Sequence, residues 1–167
     1  MWIFSIVLAT FVAFMQSTII PALSVSGGQI ELQIIIILLF LFFGRLREAC
    51  IFLLVCSTFS ALFSGAPIIY LVLPDFLIIS IYVFLDRRRI FFRPGTLLAF
   101  PIIFLAVALA DFFKLIMLSK LGAGIVSVLL ANSIYSAIVG MIIFYFINKI
   151  YHLLNPHIMR ERIKLAR

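Results

Sequence analysis

The sequence predicts an all-α integral membrane protein, a six-helix transmembrane bundle with its N- and C-termini cytoplasmic. Of the 167 residues, 66% are hydrophobic and 11% are charged, whereas soluble domains are only about half apolar. The apolar residues form runs long enough to cross the ~30 Å hydrocarbon core of a bilayer as helices. Dense charge interrupts these runs at one place, a basic loop formed by Arg87, Arg88, Arg89 and Arg93. Such loops are typically cytoplasmic.

Turn-forming and charged residues divide the chain into six predicted spans. Pro21 and residues 24–28 follow the first span, and the charged turn at residues 44–48 follows the second. Residues 64–67 separate the third span from the fourth, the basic loop separates the fourth from the fifth, and residues 119–124 precede the sixth. The predicted spans are residues 2–20, 29–43, 49–63, 67–85, 96–118 and 125–150. The second and third share a tight turn, so a hairpin that stops short of the inner face is an alternative.

The distribution of basic residues favours six spans. With that count, eleven of the 13 Lys and Arg residues fall on the side of the basic loop, and only Lys114 and Lys120 fall at the other end. An odd count would split the basic clusters across the membrane, contrary to the positive-inside rule. The chain therefore divides into a transmembrane bundle, residues 1–150, and a basic cytoplasmic tail, residues 151–167.

Small residues recur at every fourth position of the first span, at Ser5, Ala9, Ala13 and Ser17. In lipid no hydrophobic drive pulls helices together, so their association depends on close backbone approach, which small residues permit. This stripe predicts either packing within the bundle or the docking of a partner's helix.

Polar side chains inside the predicted spans collect in the outer half of the bundle. Asp75 and Asp111 lie roughly 10–12 Å below the outer ends of their spans, at 1.5 Å per residue, and Lys114 is one turn from Asp111. Gln16 and Asn132 reach the same depth from other spans. Ionisable groups at this depth are costly unless paired or hydrated, so they should face inward. We expect an intramembrane polar cluster that is structural, a small-ligand pocket open to the outside, or a partner-docking groove.

On the structural interpretation, Asp111 pairs with Lys114 and Asp75 bonds Asn132 or a hydroxyl group. No catalytic pattern competes with it. The two histidines, His152 and His157, are five residues apart and fall on different helix faces. Phosphate loops, serine elbows and His-Glu zinc motifs are also missing from the sequence. We expect no catalytic residue, metal or cofactor. The net charge of +7 is explained by orientation and lipid headgroups, so membrane lipid is an expected partner and nucleic acid is not.

Seven short motifs occur in order along most of the chain. They are Gln16-Ser17-Thr18 with Pro21, Gly27-Gly28, Glu31 opening an apolar run, Gly44-Arg45 with Glu48, residues 62–67, the basic turn from Arg87 to Arg93, and Ala131-Asn132. Together they resemble MreD, a family of small six-span bacterial rod-shape proteins. Two positions depart from the family pattern: Ile30 stands where the family often has Pro, and Ala61 where it often has Asp.

The resemblance implies a non-enzymatic scaffold of the cell-elongation machinery in the bacterial inner membrane. Such a scaffold would bind MreC, a single-span periplasmic coiled-coil protein. Through MreC it would link MreB filaments to RodA and a class B penicillin-binding protein, which build peptidoglycan. Glu31 and the turn residues Ser64, Gly65 and Pro67 are then candidate contacts for MreC, and the inner arginines would face MreB or lipid.

An alternative function comes from a different class of protein. The substrate-binding S component of an energy-coupling-factor vitamin transporter also has six spans and this size. Such components bind a vitamin near the outer face and dock a transport partner through small residues of the first span. The small-residue stripe and the predicted polar cluster fit this function nearly as well.

Overall fold

The computed structural model describes residues 2–21, 29–87, 96–117 and 125–154, and all regular secondary structure in these residues is helical. The helices are α1 (Trp2–Thr18), α2 (Leu32–Phe42), α3 (Leu46–Ser64), α4 (Ile68–Arg87), α5 (Thr96–Met117) and α6 (Ile125–Leu154). They follow the predicted spans in order. However, α2 begins three residues later than expected, and α3 begins three residues earlier. Of the basic loop, Arg87 ends α4, whereas Arg88, Arg89 and Arg93 lie outside the described residues, as does the tail from residue 155.

Four of these helices are long and apolar enough to cross a membrane, namely α3, α4, α5 and α6. The described residues are therefore all-helical wherever they form regular structure, and their apolar helices are those of a membrane protein. Helix α1 has 17 residues, and α2 has 11, which amounts to ~16 Å at 1.5 Å per residue. That is about half of the hydrocarbon thickness. The six-span count and the cytoplasmic position of both termini stay predictions.

Helix α2 lies at the centre of the bundle. It contacts each of the other five helices, which neighbour one another around it in the order α1, α3, α4, α5, α6. Eight of its 11 residues are buried. A helix that is apolar on every face is stable next to lipid as well as next to other helices, so the central position of α2 follows from the packing of all six helices. In the described part of the chain α1 and α6 do not contact each other, so the ring is open on that side.

Small residues are buried on α5 and α6, two helices that pack against each other. They are Ala106 and Ala110 of α5 and Ala137 of α6. A Cβ atom added at Gly140 would lie 2.8 Å from Cδ1 of Ile103, so the buried side chain of Ile103 would have to shift. Glycine at this position therefore allows α6 to approach α5 and α2, as expected where helices pack in lipid.

A tight turn joins α2 to α3. Gly44 has a φ of +71°, and its N–H donates to the carbonyl of Leu41 at 2.9 Å, while the N–H of Arg45 donates to the carbonyl of Phe40 at 2.8 Å. These bonds satisfy carbonyl groups that the end of a helix leaves unpaired. The positive φ explains the glycine, because side chains with a Cβ rarely adopt this conformation.

Replacing Gly44 tests this turn. A Cβ at Gly44 would meet no atom within 4 Å, so Gly44→Val carries a purely conformational cost, which we expect to be about 1–3 kcal/mol in the free energy of unfolding. Gly44→Asn is the control, since asparagine tolerates positive φ. Both are measured by reversible unfolding in bicelles. Equal losses for the two variants would contradict the explanation.

Candidate functional site

One hydrogen-bonded network joins polar groups from all six helices near the end of the bundle where α2 begins. We call it the polar cluster. Its members are Gln16 of α1, Gln29, Glu31 and Gln33 at the start of α2, Ser57 of α3, Asp75 of α4, Asp111 and Lys114 of α5, and Asn132 and Ser136 of α6. Every member is linked to another by a hydrogen bond or an ion pair. The cluster therefore ties the central helix to the five that surround it.

The approach to α2 is not helical, and α6 supplies the partners that its backbone needs. The N–H of Gln29 donates to Oδ1 of Asn132 at 2.6 Å, and the N–H of Glu31 donates to Oγ of Ser136 at 2.9 Å. At membrane depth, non-helical backbone is tolerated only where protein groups satisfy it. The two polar residues of α6 meet this requirement.

Gln33 is the centre of the network. Its buried amide Nε2 donates to Oγ of Ser57 at 2.8 Å and to Oδ2 of Asp75 at 2.7 Å. Its backbone N–H, one of those left unpaired at the start of α2, donates to Oε1 of Gln16 at 3.2 Å. A single side chain and its own backbone thus connect α1, α2, α3 and α4.

Lys114 supplies the positive charge of the cluster. Its Nζ lies 3.2 Å from Oε2 of Glu31 and 3.5 Å from Oδ1 of Asp111, which confirms the predicted Asp111–Lys114 pair. Gln16 also donates to Oε2 of Glu31, at 2.9 Å. Glu31 precedes the first residue of α2, where a negative charge interacts favourably with the helix dipole. One ammonium group thus bridges the start of α2 to α5.

The two alternative partners predicted for Asp75, Asn132 and a hydroxyl group, are both wrong. Nδ2 of Asn132 donates to Oδ2 of Asp111 at 2.8 Å, and Asp75 accepts from Gln33 instead. Asn132 faces α5 because α6 packs against α5, whereas Asp75 of α4 reaches the start of α2. The choice between these partners depends on how each helix is rotated about its axis, which the spacing of residues along the chain leaves open.

Asp75 is also the least satisfied member of the cluster. The residue is only 1% exposed, and its Oδ1 has no hydrogen-bond partner among the described residues. An unsatisfied buried polar atom costs about 1–3 kcal/mol. The cluster therefore has one acceptor position at which a further donor would be stabilising.

The structure brings together all five residues predicted for the intramembrane polar cluster, Gln16, Asp75, Asp111, Lys114 and Asn132. The sequence places Gln33 near the rim of the same polar layer, but sequence reasoning missed its role as the centre of the network. A signal was present, because Gln33 is the one polar residue within the 11 residues of α2, and a lone amide in a buried apolar helix needs partners.

The candidate partner-binding residues have different environments. Ser5, Ala9 and Ala13 are buried in α1, which packs closely along α3, so these three are closed to a partner's helix in this fold. Ser17 is exposed, and its hydroxyl donates to the carbonyl of Phe14. Glu31 belongs to the polar cluster.

The turn after α3 is open. Ser64, Gly65 and Pro67 are exposed, and the N–H of Gly65, at a φ of +67°, donates to the carbonyl of Ala61 at 2.9 Å. This bond closes the end of α3 with a left-handed glycine. Gly65 lies ~12 Å along the axis from Ser57, at 1.5 Å per residue, so the turn is at the same end of the bundle as the polar cluster.

Removing the charge of Lys114 tests the importance of the cluster for stability. Lys114→Met leaves Glu31 and Asp111 without their cation, and we expect a loss of about 3 kcal/mol in the free energy of unfolding. Lys149→Met is the matched control, because Lys149 is exposed, and its loss should stay within about 0.5 kcal/mol. Adding Glu31→Gln and Asp111→Asn to Lys114→Met should recover part of the loss. Equal losses in the free energy of unfolding for Lys114→Met and Lys149→Met would contradict the role of the cluster in stability.

The chemistry of the cluster is that of carboxylates, amides, hydroxyls and one ammonium group, connected to one another and to backbone N–H groups. No three histidine, cysteine, aspartate or glutamate side chains form a metal-binding set in the part of the chain that the structure describes. Comparison of the chain with models of protein families, with curated proteins and with solved structures finds no match.

Proposed function

We propose that the chain is a non-enzymatic membrane scaffold of the MreD type in the bacterial inner membrane. It binds an MreC-like single-span protein and thereby links MreB filaments to RodA and a class B penicillin-binding protein. The observation that supports this proposal is that motif residues far apart in the sequence lie close together in the structure. Gln16, Glu31 and Asn132, which carry part of the resemblance, belong to one network in the fold.

The use of the polar groups supports a scaffold over an enzyme. Amide and hydroxyl groups of the cluster bond backbone N–H groups of residues 29–33 or the side chains of other helices. Such groups hold a structure together, whereas a catalytic site needs groups aimed at a substrate. On this proposal the cluster maintains the shape of the surface that the partner binds.

The turn at residues 64–67 is the proposed contact for the MreC-like partner. Apolar side chains flank it on both sides, with Leu62 73% exposed and Ile69 53% exposed. The turn combines exposed apolar area with backbone groups at a helix end, which suits a partner that leaves the membrane beside it. Its position at the end of the bundle that contains the polar cluster agrees with a periplasmic partner on the predicted topology.

Photo-crosslinking from this surface tests the proposal. A photo-reactive amino acid at Leu62 should capture a single-span protein with a periplasmic coiled coil in native membranes, identified by mass spectrometry. Phe146 of α6 is the matched control, since it is apolar and 57% exposed but lies in the half of α6 away from the polar cluster. Equal capture of that partner from both positions, or no capture from Leu62, would contradict the proposed surface.

Depletion of the protein tests the cellular function independently of the surface. A rod-shaped host should lose its rod shape when the chain is depleted, because the filaments and the synthases are no longer linked. Cells that keep their shape would argue against the scaffold.

The S component of a vitamin transporter is a second candidate, favoured by the unpartnered Oδ1 of Asp75. A donor group on a ligand that entered the cluster would satisfy this buried acceptor. Titration of the purified chain with water-soluble vitamins distinguishes the two functions. Nanomolar binding that is lost in Asp75→Ala would support the transporter, and the scaffold predicts no binding.

A further inference from the structure

An apolar groove lies between α1 and α6, on the side where the ring of helices around α2 is open. Its volume is 560 Å³, within the range of about 300–1,000 Å³ that is usual for ligand sites. Leu8 of α1 and Ile143 of α6 belong to its two walls, and Phe40 of α2 to its floor. We call it the α1–α6 groove.

The lining of the groove favours a flexible hydrocarbon chain over a protein helix as the occupant of the groove. Every lining residue apart from Arg45 is a large aliphatic or aromatic one, and glycine, alanine and serine do not occur among them. Helices that associate in lipid need small residues at the contact, because their backbones must approach closely. A hydrocarbon chain has no such requirement and adapts to a wall of large side chains.

One end of the groove is polar and basic. Arg45, which lies in the turn between α2 and α3, lines it there together with Tyr151 of α6. Arg45 is exposed and makes no ion pair with a carboxylate of the described residues. Trp2 lies at this end of the bundle as well, and the centroid of its ring is 5.8 Å from the guanidinium carbon of Arg47. Tryptophan and tyrosine are enriched at the level of lipid headgroups, so Arg45 is placed at headgroup depth.

We propose that the α1–α6 groove binds one acyl chain of an anionic phospholipid, with the headgroup phosphate at Arg45. The charge selects the lipid class, since a guanidinium group forms bidentate hydrogen bonds with phosphate oxygens, and basic sites between membrane helices bind anionic headgroups. The bound chain fills the gap between α1 and α6 and completes the enclosure of α2. This proposal does not depend on the scaffold function.

Native mass spectrometry of the purified full chain tests the site. The protein is incubated with equal amounts of phosphatidylglycerol and phosphatidylcholine that have identical acyl chains, and the retained lipids are counted. We expect one phosphatidylglycerol in preference to phosphatidylcholine. Arg45→Gln should lower its retention about fivefold, the effect of one basic residue near a membrane surface.

Two further variants separate charge from shape. Arg47→Gln is the matched control for Arg45→Gln, because Arg47 lies two residues away in the same segment and contacts Trp2 instead. The Arg47→Gln variant should retain as much phosphatidylglycerol as the unmodified chain. Ile143→Trp narrows the groove and should lower retention of both lipids. The Arg45 side chain makes no capping hydrogen bond to α3, so Arg45→Gln leaves the fold intact.

Three outcomes would overturn the proposal. The first is equal retention of the two lipids by the unmodified chain. The second is an equal effect of Arg45→Gln and Arg47→Gln on retention. The third is a mass of two protein chains without lipid, which would assign the groove to a second copy. If Ile143→Trp loses its helical circular dichroism, only that variant is discarded. The comparison of Arg45→Gln with Arg47→Gln still tests the proposal.

Discussion

A short central helix with a non-helical approach is the constraint on which the rest of the structure depends. In lipid every backbone N–H needs a partner within the protein. The first N–H groups of α2 have no acceptor within the helix, and the N–H groups of Gln29 and Glu31 just before it donate to side chains of α6. Gln16, Asn132 and Ser136 supply acceptors to this backbone from two other helices. The position of α1 and α6 around the start of α2 follows from that requirement.

The charged groups of the cluster follow from the same constraint. Glu31 sits at the start of α2, where the helix dipole favours it, but its partly buried carboxylate also needs a cation. Lys114 provides one and is in turn paired with Asp111. Because each group is costly to bury alone and acceptable when paired, the cluster works as a unit. Replacing one member therefore leaves its partners without the ion pair or hydrogen bond that they need.

The two sides of the bundle differ in how α2 is covered. Where α1 packs along α3, small residues bring the helices together and bury the stripe that contains Ala9 and Ala13. Between α1 and α6 no such contact forms in the described residues, and large side chains line the gap that separates the two helices. Lipid is the natural occupant of such a gap. The proposed surface for a protein partner lies elsewhere, at the turn that contains Gly65.

The sequence by itself determined the class of protein, the order of the helices and the level of the polar residues along those helices. Hydropathy and a rise of 1.5 Å per residue are local properties, so Asp75, Asp111 and Lys114 could be assigned to one layer before their partners were known. The pair of Asp111 and Lys114 is also local, since three residues separate them on one helix. Only the tertiary structure decided that α2 is central and that Gln33 joins four helices. Those facts depend on the rotation of each helix about its own axis, which is set by packing among all six at once.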